Sequence, residues 1–575
     1  MEQRVEAWQR RALGGVLGAV SVLLLVGCAS NGGGNTAVAK SCEELGSMTV
    51  AANSIGLPTS GAKVTSASVV AAAGAGATAL PEYCKVTAEI APVDPTAPSI
   101  KMQVNLPTNW NSKVLMFGGG GYDGTVSGAG AGGTANVPAG PVDKPTPLGR
   151  GYATFSSDSG HQANALGSQD GSFGVNDEAL RNFAGDALKK TRDTALSIIK
   201  ARYATSGPSK SYFAGGSTGG REALKVVSTW PQDWDGAIVL YPAGAAATLD
   251  LQFGRITRAF AQPGAYPNAA KRKRLYDAVL QTCDRLDGVQ DGLVSNVPAC
   301  NATFDPATAT IGGVPLRCPN GGEGDDGCLS DAQITALKVF NSAITIAYPL
   351  ASGETQYPGF NVWGADLGVP NASPLQRTVT FLALGSTQPA SPMPVTAPYG
   401  STFWDQWVRF FVTRDPNFNS LTLDPQNPGP WQARISALTG LQDVNKTDLS
   451  AFQAKGGKLL MAHGMADVLV STRATEQYWQ RLNAKMGAAK VETFARFYEI
   501  PGYGHAVSTV FNAAWDSLTA LENWVEHGTA PTGQIVADAV GVPGRTRPLC
   551  NWPAFPRYTG SGDINVASSY NCTAQ

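Results

Sequence analysis

The chain is 575 residues long, with 43 basic and 44 acidic side chains, a formal net charge of −1 and only 15% charged residues, where about a quarter is usual. So even a balance excludes a protein that holds nucleic acid by electrostatics. The length suffices to bury a large core, and the 66 glycines suit a loop-rich exported protein.

Residues 1–28 read as a targeting segment. Arg10 and Arg11 close a basic stretch, and Val16 to Val26 form an apolar run too short to span a bilayer permanently. The run ends on Leu25-Val26-Gly27-Cys28, which resembles a bacterial lipoprotein box. That resemblance implies lipidation of Cys28 and, with Ala29 next, an outer-membrane anchor; the alternative is an ordinary cleaved secretion signal. Residues 29–40, with Asn31-Gly-Gly-Gly-Asn35, read as a flexible tether. The remaining cysteines are Cys42, Cys84, Cys283, Cys300, Cys318, Cys328, Cys550 and Cys572. An even number in an exported chain implies disulfides, and the grouping suggests that neighbours pair.

Residues 63–80 are low-complexity Ala, Gly and Val and carry little chemistry. Ser99 to Val104 alternates like a strand, and Lys113 to Phe117 forms an apolar one. The latter runs into Gly118-Gly119-Gly120-Gly121-Tyr122. A glycine loop placed there resembles the esterase loop that offers a backbone N–H to an oxyanion. His161, one of four histidines, reads as a structural or pocket-wall residue. Residues 177–203 have helical periodicity through Leu180, Phe183, Leu188, Ala195 and Ile198.

Tyr212 to Arg221 reads as a short apolar strand, a sharp glycine turn and a helix start. Ser217 lies there in a Gly-x-Ser-x-Gly frame, the nucleophile elbow of an α/β-hydrolase. The helix N-terminus brings free N–H groups and a positive dipole end beside the hydroxyl. Another buried strand, Gly236 to Tyr241, follows. Residues 243–447 then lose the strand–helix alternation and read as one large inserted lid between two parts of a core, 41–242 and 448–575. Within the lid, Ser330 to Gln333 forms a helix-capping box. Trp363, Phe403, Trp404, Trp407, Phe410 and Phe411 read mostly as core, with a minority lining an aromatic substrate pocket.

The lid also holds Cys283-Asp284-Arg285-Leu286-Asp287-Gly288-Val289-Gln290-Asp291-Gly292-Leu293. Three carboxylates and two glycines in so short a loop suit a hard cation such as calcium, although the EF-hand pattern is absent. Alternation resumes at Lys458 to Met461, which leads into His463-Gly464-Met465-Ala466-Asp467. Arg496 to Ile500 then leads into Pro501-Gly502-Tyr503-Gly504-His505. The order Ser217, Asp467, His505 is the one expected of α/β-hydrolases. His527 reads as solvated beyond the last helix.

These motifs together resemble the tannase and feruloyl esterase family over roughly residues 40–575. To them are added the tail Arg545-Thr546-Arg547-Pro548-Leu549-Cys550 and Gly560 to Asn565. The resemblance implies an α/β-hydrolase core with Ser217 as nucleophile, His505 as base and Asp467 as its orienter. Gly121 and Thr218 would supply the oxyanion N–H groups. Structural calcium would sit on Asp284, Asp287 and Asp291 with the carbonyls of Val289 and Leu293. Most of the family joins a cysteine before the serine to one after the histidine; here Gly216 and Ala506 stand in those places, expected close together. No basic residue around Phe381 to Ser401 matches the lid arginine of the MHETase type, and Arg377 and Arg409 are the nearest. The expected activity is hydrolysis of esters of hydroxylated aromatic acids, feruloyl or galloyl, through an acyl-enzyme. The alternatives are an MHETase-like hydrolase of aromatic polyester fragments and a calcium-dependent surface binding protein on an inactive fold. A small aromatic ester is the expected partner, with membrane contact only through the lipid anchor; oligomeric state stays open.

Overall fold

The computed structural model describes residues 38–126 and 131–574. The targeting segment, Cys28 and most of the expected tether lie outside the described residues. Ten strands form the main sheet: β1 (Thr49–Val50), β2 (Ala62–Val70), β3 (Tyr83–Ile90), β4 (Ile100–Pro107), β5 (Lys113–Phe117), β6 (Ala153–Ser157), β7 (Lys210–Gly216), β8 (Gly236–Leu240), β9 (Lys458–Gly464) and β10 (Ala495–Ile500). Their spatial order is β1-β2-β3-β4-β6-β5-β7-β8-β9-β10. β1 to β4 and β6 pair antiparallel, whereas β6-β5-β7-β8-β9-β10 are parallel.

The parallel strands are almost wholly buried. Val114 to Phe117, Ser211 to Gly216 and all of β8 are inside, as expected for strands covered on both faces. The chain leaves β5 toward β6 on one side and returns to β7 on the other. The carboxyl ends of β5 and β7 therefore flank a topological switch point, where open α/β sheets bind ligands. With this sheet and its flanking helices the fold is an α/β-hydrolase.

Two readings need correction. Ala62–Val70, which overlaps the stretch 63–80 set aside as low-complexity, is a full strand of the sheet. Residues 177–203 are not one helix: a π turn over Asn182–Asp186 separates Asp177–Arg181 from α1 (Ala187–Tyr203), with Gly185 at φ +144°. The reason lies elsewhere in the chain. Arg221 Nη2 donates to the Phe183 carbonyl at 2.8 Å, and its guanidinium stacks 4.4 Å from the Phe183 ring. Arg221 thereby takes a carbonyl that a regular helix would use internally.

The chain between Leu240 and Lys458 contributes no strand to the main sheet. α2 (Thr218–Thr229) follows β7, and α3 (Ala246–Phe260) follows β8. α3 has no capping side chain of its own; Asp443, just beyond α4 (Gln432–Gln442), accepts the N–H groups of Ala247 at 2.8 Å and Thr248 at 3.3 Å. A carboxylate there satisfies orphan donors and complements the helix dipole. Trp363, Trp404, Trp407 and Phe411 are buried core. Disulfides join Cys42–Cys84, Cys283–Cys300, Cys318–Cys328 and Cys550–Cys572, with Cα separations of 5.6, 5.2, 4.9 and 5.4 Å. These are the neighbour pairs that the spacing suggests. The Ser330–Gln333 capping box is present.

Candidate active site

Ser217 sits between β7 and α2 with φ +60° and ψ −124°, the strained elbow that lifts a hydroxyl clear of its backbone. Space for side chains around it is short in this chain. A Cβ on Gly215 would lie 2.2 Å from the Gly219 carbonyl oxygen, and one on Gly216 would lie 2.5 Å from the Tyr241 ring. Arg221 N–H donates to the Ser217 carbonyl at 3.1 Å, and so the helix begins at the serine itself.

The structure brings all three sequence-predicted residues together. His505 Nε2 is 2.9 Å from Ser217 Oγ, and its Nδ1 is 2.8 Å from Asp467 Oδ2. The remaining Asp467 oxygen accepts the N–H groups of Leu469 and Val470 at 2.8 and 2.9 Å. His463 Nε2 lies 3.2 Å from Asp467 Oδ2 and 3.1 Å from the Val470 carbonyl, so this nitrogen carries the proton; its Nδ1 faces Thr475 Oγ1 at 2.8 Å. Burial alone would raise the Asp467 carboxyl, but His505 and His463 outweigh it and hold the group well below the ordinary carboxylate range. Asp467 is thus kept ionised beside the imidazole it orients.

The glycine loop after β5 lies across from the elbow. Thr218 Oγ1 donates to the Gly121 carbonyl at 2.6 Å, which ties loop and helix together. The N–H groups of Gly121 and Thr218 make no hydrogen bond to the protein among the described residues. Gly121 has φ +63°, and a Cβ there would strike the Ser168 carbonyl oxygen at 2.4 Å. Gly119 N–H donates to Glu222 Oε2 at 2.9 Å. Glu222 is buried beside Asp123 and Arg221. Burial and the neighbouring Asp123 push Glu222 up to about 8, and burial pushes Asp123 up to about 6. Neither was singled out in the sequence, although each directly follows a motif that was.

Ser217, Gly121, Thr218 and His505 open on one cavity of about 340 Å³. Its walls include Tyr122, Phe183, Phe253, Tyr399 and Phe403, with the Tyr122 and Phe403 rings stacked at 4.1 Å. Of the aromatic lid residues named from sequence, Phe403 is the one that lines this cavity. The family model described as tannase and feruloyl esterase matches residues 84–573. The chain belongs to this family.

An uncharacterized esterase of Agrobacterium fabrum is 38% identical over 539 residues, covering 92% of each chain. The mono(2-hydroxyethyl) terephthalate hydrolase of Piscinibacter sakaiensis is 33% identical, covering 88% of this chain and 87% of that one. Among solved structures, feruloyl esterase B from Aspergillus oryzae superposes with a TM-score of 0.71 at 23% identity, covering 90% of this chain and 98% of that one. The fold is shared at that distance.

Other family features fall as follows. Gly216 and Ala506 line the same cavity. Tyr241 occupies the space beside Gly216, with its ring 5.0 Å from the His505 ring and 6.1 Å from that of Tyr503. Tyr503 Oη in turn donates to the Ala506 carbonyl at 2.8 Å. Neither Arg377 nor Arg409 lines the cavity; Arg409 bonds Asp405 at 2.8 Å. His161 is buried and stacks on Phe173 at 3.6 Å, away from the cavity lining. His527 is the exposed last residue of its helix rather than beyond it.

In the expected calcium loop, Asp284 accepts the N–H groups of Asp291 and Gly292, both at 3.1 Å. Asp291 accepts from Tyr570 Oη at 3.0 Å and from Arg547. The neighbouring Arg545 pairs with Asp538 at 2.6 Å, which gives both arginines of the tail motif a partner. Asp287 Oδ2 is buried without a partner, and burial pushes this carboxyl up to about 7. An orphaned oxygen of this kind suits a hard cation. Among the described residues no three Asp, Glu, His or Cys side chains form a group able to hold a metal on their own. The carbonyls of Val289 and Leu293 would have to complete the set. No helix among the described residues is long and apolar enough to cross a membrane.

Proposed function

We propose that the chain is a serine carboxylic ester hydrolase acting on esters of hydroxylated aromatic acids, of feruloyl or galloyl type. The observation that carries this reading is the relay from Ser217 through His505 to ionised Asp467, at 2.9 and 2.8 Å, opening on a ring-walled cavity. His505 Nε2 takes the Ser217 proton as Oγ attacks the ester carbonyl. Asp467 holds the imidazole tautomer and stabilises its cationic form. The Gly121 and Thr218 N–H groups receive the oxyanion, an interaction typically worth about 3 kcal/mol per donor. His505 then returns the proton to the departing alcohol, and water, activated by the same imidazole, cleaves the acyl-enzyme.

The Piscinibacter sakaiensis relative favours a second reading, hydrolysis of an aromatic polyester fragment. Arg221 is the one lysine or arginine lining the cavity; its Nη2 bonds the Phe183 carbonyl, while its Nη1 is buried without a hydrogen-bond partner among the described residues. The preference for a ring with hydroxyls rests on the family resemblance and the ring-lined wall. Initial rates on methyl ferulate, methyl gallate and mono(2-hydroxyethyl) terephthalate decide between them; turnover of the last alone would reverse the preference.

A structural calcium on Asp284, Asp287, Asp291 and the carbonyls of Val289 and Leu293 belongs to the same proposal. It is supported by the orphaned Asp287 oxygen and by the Cys283–Cys300 bridge that braces the loop. A bound cation would supply folding energy and no chemistry. Exhaustive EDTA treatment is expected to lower Tm by several degrees, and calcium to restore it; an unchanged melting curve refutes the site. The four disulfides also support an oxidising compartment, reached through the targeting segment, with lipidation of Cys28 as the anchor. Cys28→Ser is expected to move the protein from the membrane pellet to the soluble fraction of expressing cells, and unaltered partition would remove the anchor.

A further inference from the structure

Among the polar groups of the cavity wall that the relay does not use are Asp250 and Gln442. Asp250, on α3, is 4% exposed and lines the cavity, and its carboxyl has no hydrogen-bond partner among the described residues. Gln442, the last residue of α4, is 1% exposed and lines the same cavity. Its amide orientation is fixed: Trp407 Nε1 can only donate, and it meets Gln442 Oε1 at 3.1 Å. The Gln442 NH₂ group is therefore left as a donor with no partner among the described residues.

Asp443, which follows Gln442 directly, binds the first turn of α3, and this brings the ends of the two helices together. Leu249, Phe253, Tyr122 and Phe403 supply apolar surface beside the pair. Buried polar groups without partners inside an apolar site are costly unless something fills them.

We propose that Asp250 and Gln442 form a subsite for a phenolic hydroxyl on the aromatic ring of the acid half of the ester. This deepens the esterase reading above and rests on it. A phenol suits the pair because one oxygen both donates and accepts. Its proton goes to the Asp250 carboxyl, and its lone pair takes a Gln442 N–H. A methoxy oxygen has no proton to give, and a bare ring leaves both groups unpaired in the closed complex. A second carboxylate on the ring would face the Asp250 carboxyl. Burial, and then the Asp443 charge, push that carboxyl well above its ordinary range, while Arg221 pulls it the other way; a carboxyl oxygen accepts the phenol proton in either protonation state.

Discrimination of this kind is large because the analogue lacking the hydroxyl strands buried polar groups. The test compares kcat/KM for methyl 3,4-dihydroxycinnamate, methyl 3,4-dimethoxycinnamate and methyl cinnamate. The alcohol is constant, so any preference arises on the acid side. The ratio between two esters on one preparation is independent of how much protein is folded. The dihydroxy ester is expected to exceed the other two by about tenfold to a hundredfold. Asp250→Leu and Gln442→Leu should each remove most of that preference, while Asp250→Asn, which keeps a hydrogen-bonding oxygen, should retain part of it. Hydrolysis of all three esters at similar kcat/KM overturns the subsite and leaves the esterase reading standing, as does a preference that Asp250→Leu leaves intact. Hydrolysis of none overturns the esterase reading. Calorimetric binding of the free acids then decides the subsite alone: tighter binding of 3,4-dihydroxycinnamate than of cinnamate, lost in Asp250→Leu, supports it, and equal affinities overturn it.

Discussion

Ser217→Ala is expected to abolish ester hydrolysis, with kcat falling by about 10⁴-fold or more, while the protein keeps its fold. Both halves of this expectation come from the elbow. The hydroxyl is the group that faces His505 Nε2 at 2.9 Å, and the N–H groups of Gly121 and Thr218 do not replace a nucleophile. What rate remains would come from those donors acting on bound ester and water. Stability should be nearly untouched because the side chain makes no capping bond to α2. The strained φ of +60° is held by the Gly215–Gly219 contact and by the Ser217 N–H bond to Leu240 at 3.0 Å, both of them backbone features. The checks are kcat on a chromogenic ester and Tm by circular dichroism. Activity near wild type would remove Ser217 from the role of nucleophile.

The second large effect concerns the positions where the family commonly has a disulfide. Gly216→Cys with Ala506→Cys is expected to lower kcat by about a hundredfold even when the pair is oxidised. A bridge here would close a loop of about 290 residues, and chain entropy alone would favour it by several kcal/mol. The obstacle is local. A Cβ on Gly216 meets the Tyr241 ring carbons at 2.5 and 2.6 Å, a separation that cannot persist. Tyr241 is buried, and its ring packs edge-on against His505. The cysteine therefore pushes on the ring that supports the imidazole, and a shift of about 1 Å at a reacting group costs roughly two orders of magnitude. Shortening Tyr241 to alanine in the same double variant should recover part of the lost kcat. Thiol titration reports whether the bridge forms, and kcat reports its effect. Wild-type activity in the oxidised variant with Tyr241 intact would refute this account of the site.

Tyr241 also revises the reason for glycine before the serine. Torsion does not require glycine there, since Gly216 is absent from the positive-φ positions, whereas Ala506 has φ +62°. Gly216 is glycine because an aromatic ring from the next strand's end fills the volume a side chain would need. Nothing local to Gly216 announces that ring.

The amino-acid sequence by itself determined the parts whose physics is short-range. Apolar runs of strand length mark β5, β7, β8, β9 and β10, and the polar residues that follow them, Gly118 to Gly121, Ser217, Asp467 and His505, are where a parallel sheet exposes its carboxyl ends. The disulfide partners are neighbours in sequence, so their grouping already indicated them. The strand Ala62–Val70 escaped because its burial pattern is broken by a register shift between Val64 and Ser66, which leaves no clean alternation to read. Tertiary structure alone decided the rest. His463 stands inside the His-Gly-x-x-Asp motif, yet its bond to Asp467 depends on the turn that brings Val470 and Thr475 back to it. Glu222 shares its burial with Asp123, about a hundred residues away, and its carboxyl holds the glycine loop through the Gly119 N–H. Asp250 reads in sequence as an ordinary polar position on an amphipathic helix. It becomes part of a cavity wall because α4, nearly two hundred residues on, packs over the start of α3 and brings Gln442 with it. Periodicity and turn chemistry act over a few residues, whereas burial and unpaired hydrogen-bonding groups are set by surfaces that meet only when the whole chain is folded.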